Sequence, residues 1–363
     1  MAQRIITADD MDTIALGGAF LGTGGGGDPY IGKLMAKAAI EKYGPVTVIS
    51  ADSVADDALC VPVFMMGAPT VMLEKLPQGE EAIAALHSLE AYMGRKVDAV
   101  MCVEAGGLNS TIPFAVAAAT GLPLIDGDGM GRAFPELQMV CFTIEGVQAT
   151  PMVLADDKAN SVVLNAISNQ WTERLARAST IEMGGAALGA GYPMTGEQMK
   201  RGTLHDTLGL IQQIGETIES ERAANRNPSP VLVEQFKGRK LFTGRVMDIE
   251  RATVGGFARG KAIIKGLDKD AGNTFTVEFQ NEFLVAKNGE GQVLATTPDL
   301  ICALDSDGGL PVTTEQIRYG LAIDFLGLPC NPKWRTPAGL DLVGPGYFGY
   351  DHDYTPVEDI SLS

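Results

Sequence analysis

The residues best suited to chemistry in this 363-residue chain crowd into one stretch, "EAGGLNSTIPFAVAAATGLPLIDGDGMGRAFPELQM", residues 104–139. Glu104 ends an apolar run and enters a Gly-Gly turn, where a carboxylate can act as general base. Asp126 and Asp128 leave the next apolar run in "IDGDGMGR", and two acids, three glycines and an arginine within a few residues exceed what an Asx-turn requires. Hard oxygen donors can hold a divalent cation, so both aspartates are candidate metal ligands. Arg132 can clamp a substrate carboxylate through two parallel hydrogen bonds. Asn109 and Ser110 are placed to cap the following helix, and Asn109 is also a candidate substrate contact. An EF-hand is excluded, because Met130 and Leu137 stand where oxygen ligands are needed.

A second candidate is the glycine run in "LGTGGGGDPY", residues 21–30. Gly22, Gly24 and Gly27 spell G-x-G-x-x-G, which in a dinucleotide fold follows a strand and opens a helix. Here the preceding residues have helical spacing, so half of that context is missing, although Asp52 could imitate the ribose-binding acid. No Gly-Lys-Ser/Thr follows, which excludes a P-loop. Helix, glycines, helix is the reading, with Gly24, Gly25, Gly26 and Gly27 forming either an anion-accepting nest that binds substrate or a close approach of two helices. Further along, "FQNEF" offers Gln280, Asn281 and Glu282, with Glu282 a candidate substrate contact, and "TTPDLI" offers Asp299. "GPGYFGYDHDY" sets His352 between two aspartates, as a metal ligand or general base would be. His87 and His205 lie in helical patterns and read as structural.

The elements that must position these residues fall into two textures. Up to about residue 170, short apolar runs alternate with helical ones and no hairpin signals intervene, which predicts a layered α/β sandwich with a mainly parallel sheet. Asp28 as N-cap and Pro29 at the first position predict a helix that closes on Gly44. Residues 171–236 read as a connecting segment with a polar helix from about Glu197 to Asn225. From 237 to 363, short alternating runs broken by glycine turns predict an antiparallel, barrel-like β domain. In a parallel sheet the runs ending at Glu104 and Asp126 deliver their carboxylates to one edge, where such folds bind ligands. The β domain, with Glu282 and Asp299, would close that edge.

A net charge of −17 argues against an electrostatic grip on nucleic acid or on an anionic membrane. No run of 18 apolar residues occurs and the N-terminus lacks the pattern of a signal peptide. Five scattered cysteines without a C-x-x-C pair disfavour a disulfide framework or a zinc knuckle and point to the cytoplasm. With three histidines in all, any metal is expected on carboxylate and amide oxygens, and neither nicotinamide nor flavin is expected.

Taken in order, "FLGTGGGGDP", "EAGGLNS", "DGDGMGRAFPELQM", "GGFARG", "FQNE", "PDLI" and "GPGYFGYD" resemble the DUF917 family, renamed for S-methyl thiohydantoin desulfurase and described as hydantoinase-like. The resemblance spans essentially the whole chain. It implies an α/β sandwich followed by a β-barrel-like domain, and hydrolytic loss of sulfur from a thiohydantoin in the breakdown of histidine- or ergothioneine-derived rings. It also implies a small-molecule substrate and leaves open a homo-oligomer or a hydantoinase/oxoprolinase-like partner. It assigns no catalytic residue. Two rival readings stand beside it: a non-catalytic partner subunit of such a complex, and a nucleotide-binding protein that uses the 22–27 glycines.

Overall fold

Among the described residues, ten strands of the N-terminal two-thirds join around a parallel centre. The computed structural model describes residues 3–67, 71 and 79–361. Its first sheet contains β1 (Arg4–Ile6), β2 (Val46–Ser50), β3 (Leu59–Gly67), β4 (Ala99–Cys102), β5 (Leu124–Asp128), β6 (Met152–Ala155), β7 (Ser161–Leu164) and β8 (Ala186–Ala190), with the short β9 (Met194–Thr195) and β10 (Leu204–His205) beside it. The order is β1-β2-β5-β4-β3-β8-β6-β7, with β9 on β3 and β10 on β5. Strands β2, β5, β4 and β3 are parallel, and the flanking strands are antiparallel. The four central strands are apolar because helices cover them: Ile112–Thr120 packs across β2 to β5, and Pro29–Tyr43 packs on that helix.

The second sheet is antiparallel throughout: β11 (Arg239–Val254), β12 (Phe257–Gly266), β13 (Thr274–Gln280), β14 (Glu282–Asn288), β15 (Val293–Thr296), β16 (Leu300–Asp305) and β17 (Ala322–Leu328). Its order is β15-β14-β13-β12-β11-β17-β16. It curls until β14 and β15 reach β16, a half-barrel filled by Phe242, Phe275, Phe283 and Phe325.

Two local expectations change. The single polar helix over 197–225 is two helices, Gly196–Gly202 and Thr207–Ala223, because Leu204 and His205 pair with Asp128 and Gly127 of β5. Asp206, with φ 61°, turns the chain back into the second helix. The first sheet also runs beyond residue 170, since β8, β9 and β10 belong to it.

The glycine run joins helix Met11–Leu21 to helix Pro29–Tyr43, whose N-cap Asp28 accepts from the Tyr30 amide. No strand leads into Gly22, so the strand–turn–helix context of a dinucleotide loop is absent. The run is glycine because three surfaces meet on it. A Cβ on Gly25 would lie 2.0 Å from the Glu282 carboxyl oxygen, and one on Gly24 would lie 2.5 Å from the Phe283 ring. Gly26 faces the Gly106–Gly107 backbone at about 3 Å in the same way. The backbone is shared between domains as well: Phe283 donates to the Thr23 carbonyl and Thr314 to that of Gly24.

Candidate functional site

A half-open cavity of about 70 Å³ lies where the C-terminal edge of β3 and β4 meets the start of β14. Phe64, Met65, Met66 and Gly67 close one wall from the end of β3. Glu104 enters just beyond β4, with Asn109 from the turn that follows, and Asn281, Glu282 and Gly26 come from the domain junction. Glu136, Glu173 and Arg177 line the remaining side.

Glu104 and Glu282 are the reactive features. Each is buried, and each leaves its Oε2 without a hydrogen-bond partner. Glu104 Oε1 accepts from Asn109 Nδ2 at 2.7 Å. Burial pushes the Glu104 carboxyl up to about 8, with the Asn109 hydrogen bond opposing and the Asp128 charge reinforcing the shift. Glu282 Oε1 accepts from the Gly26 amide at 3.2 Å. Burial, and then the neighbouring Glu104 charge, hold the Glu282 proton well above the ordinary glutamate range, while Arg132 opposes them. Two carboxyls from different domains thus line one cavity, and both resist ionisation.

Asn109 is not the helix cap anticipated for it. Its side chain accepts from the Met65 amide at 2.7 Å and donates to the Met65 carbonyl and to Glu104. It therefore ties the end of β3 to the acid at the end of β4. The other acids of the cavity are partnered. Glu173 is ion-paired with Arg177 and accepts from the Leu137 amide, and Glu136 accepts from Tyr347 and Gln138.

Four expected site side chains lie outside this cavity, and of the expected glycines only Gly26 lines it, not Gly24, Gly25 or Gly27. Arg132 cannot clamp a substrate, because all five of its N–H groups are spent. They go to the carbonyls of Ala133, Pro298, Asp299 and Phe283 and to the Thr23 hydroxyl, so the guanidinium fastens one domain to the other. Asp128 Oδ2 accepts from the amides of Ala105, Met130 and Gly131, which fixes the turns on either side of the cavity floor. Burial raises the Asp128 carboxyl to about 6. Asp126 shares the sheet edge with Glu104 but turns away, accepting from Arg4 and from the amides of Leu208 and Gly209 at a helix N-terminus. His352 meets the Thr296 hydroxyl at 3.2 Å, and burial lowers its pKa. Asp126, Asp128 and His352 thus do not converge, and they do not fit a shared divalent metal. Among the described residues no group of three or more His, Cys, Asp or Glu side chains is arranged to hold one. Asp299 is likewise an anchor, taking the amides of Cys330 and Val357, the Tyr354 hydroxyl and Arg335.

Glu173 and Arg177 were missed by sequence reasoning, and their spacing of four on "NQWTERLARASTIE" looks like an ordinary solvated pair. The glycine nest also changes meaning: the acceptor on the Gly26 amide is the protein's own Glu282 carboxyl.

The sequence matches two family models end to end: the S-Me-THD-like N-terminal domain over residues 9–166 and the S-Me-THD-like C-terminal domain over residues 167–357. The chain belongs to the S-Me-THD-like family. A solved structure with the same fold is the X-ray crystal structure of a protein from Chromobacterium violaceum. It is 26% identical, has a TM-score of 0.82, and covers 98% of this chain and 100% of that one. No curated protein matches the chain. Among the described residues no helix is long and apolar enough to cross a membrane.

Proposed function

We propose that this S-Me-THD-like protein is a hydrolase that removes an alkylthiol from an S-methyl thiohydantoin ring, with Glu104 as general base and Glu282 as general acid. The observation that carries this reading is the pair of buried glutamates, one from each domain, each with an unpartnered oxygen in the same cavity.

The reaction needs water added to a C=N carbon and sulfur expelled. With Glu104 ionised and Glu282 protonated, Glu104 takes a proton from water as the water oxygen bonds to the ring carbon. The C=N electron pair moves to nitrogen, which takes the Glu282 proton. The tetrahedral carbon then carries hydroxyl and S-methyl groups. As the C–S bond breaks, the hydroxyl proton returns to Glu282 and the sulfur leaves with the proton held by Glu104. The products are the hydantoin and methanethiol, and both glutamates are restored. Asn109 positions the Glu104 carboxylate, and the apolar wall of Phe64, Met65 and Met66 keeps bulk water from competing.

The test is to incubate the purified chain alone, in ¹⁸O-water, with an S-methyl thiohydantoin. The account expects methanethiol release and one ¹⁸O in the ring carbonyl. Turnover that needs an added partner protein would favour a subunit role instead.

A further inference from the structure

Helix Asn169–Glu182 turns Glu173 and Arg177 toward the cavity and buries Thr172, Ala176 and Thr180. Its outer stripe is built differently. Trp171, Arg174, Leu175, Ala178, Ile181 and Glu182 fall within about 120° of one another at 100° per residue, and Trp171 (45%), Leu175 (39%) and Ile181 (56%) are large apolar side chains left in solvent. The apolar exposure continues around the helix. Ile167 just before it is 88% exposed, and β7, the edge strand at this end of the sheet, carries Ser161–Leu164 without a charge or a proline to guard it.

The stripe is complementary to itself. Ala178 lies at its centre, and a two-fold axis there pairs each residue with the one equally far on the other side. Leu175 then meets Ile181 of a second helix and Arg174 meets Glu182, each contact made twice. The central alanine has the least bulk to keep the helices apart. An isologous two-fold interface needs a patch whose halves match in this way.

We infer that this face binds a second copy of the chain, with the two helices antiparallel and crossing at Ala178. Exposed apolar residues then leave water while Arg174 and Glu182 close both rims, an arrangement of apolar centre and charged rim that is typical of protein interfaces. No native cysteine competes in a test of this geometry, since all five are buried.

The experiment uses the full chain in analytical ultracentrifugation and in oxidative cross-linking. Wild type is expected to sediment as a dimer at micromolar concentration. R174E sets like charges against Glu182 at both rims and is expected to weaken association about tenfold or more, and R174E/E182R to restore it. A178C is expected to form a disulfide-linked dimer on mild oxidation, because Cα atoms at the crossing come within the ~7 Å such a bond requires. A monomeric wild type overturns the inference. So does a dimer indifferent to R174E, or one in which A178C fails to cross-link.

Discussion

Replacing Glu104 by glutamine should stabilise the protein, and the gain should grow with pH. The folded carboxyl holds its proton up to about pH 8, against an ordinary value near 4.5. Between those values the folded state binds more protons than the unfolded state, so wild-type stability falls as pH rises. Glutamine has no proton to lose and escapes the penalty. Across the three pH units from 5 to 8, at about 1.4 kcal/mol each, the gap between variant and wild type should open by up to about 4 kcal/mol. A fixed cost from placing the amide beside Asn109 shifts every point equally and leaves the slope unchanged. Isothermal denaturant unfolding at pH 5, 6, 7 and 8 measures it, with fluorescence of the buried Trp334 as one probe. A gap independent of pH, or one that closes as pH rises, would refute the reasoning.

Four other outcomes follow from the same contacts. The pH profile of kcat/KM should rise as Glu104 ionises near pH 8 and fall again at higher pH as Glu282 loses its proton, and E282Q should remove the falling limb. Gly25→Ala should displace the Glu282 carboxyl, costing about 1–3 kcal/mol in an unfolding experiment and most of the activity. Arg132→Leu should lose about 3–5 kcal/mol, because five buried hydrogen bonds disappear, three of them to the other domain, and its effect should be on stability rather than on KM. Asp128→Ala strands three backbone amides and should cost about 2–4 kcal/mol without changing the KM of the folded fraction.

What could be read in the sequence was what depends on neighbours along the chain. Asp28-Pro29 and the helical spacing on both sides identify the glycine run as a helix-to-helix joint, and the apolar run before Glu104 places that acid at a strand end. Glu282 could be picked out as an acid in a β segment, but its contact with Gly26 spans most of the chain and leaves no local trace. The same reason defeats Arg132: its setting among acids and glycines suggests a ligand clamp, whereas its partners are far along the chain, at Thr23 in its own domain and at Phe283, Pro298 and Asp299 in the other. Asp126 and Asp128 share the expected sheet edge but each takes two or more backbone amides, Asp126 with Arg4 besides, a use that a short acidic motif resembles as closely as it resembles a metal site. Nothing in the sequence singles out Met65 and Met66, because their position beside a cavity depends on where β14 arrives.

The central claim is that Glu104 and Glu282 together perform the chemistry. Single-turnover methanethiol release by wild type, E104Q and E282Q, each shown to be folded, tests it most directly. The account predicts that either substitution slows release by about 10²–10⁴-fold, and that the double variant is little worse than the slower single one. Release by either single variant within tenfold of wild type would contradict it.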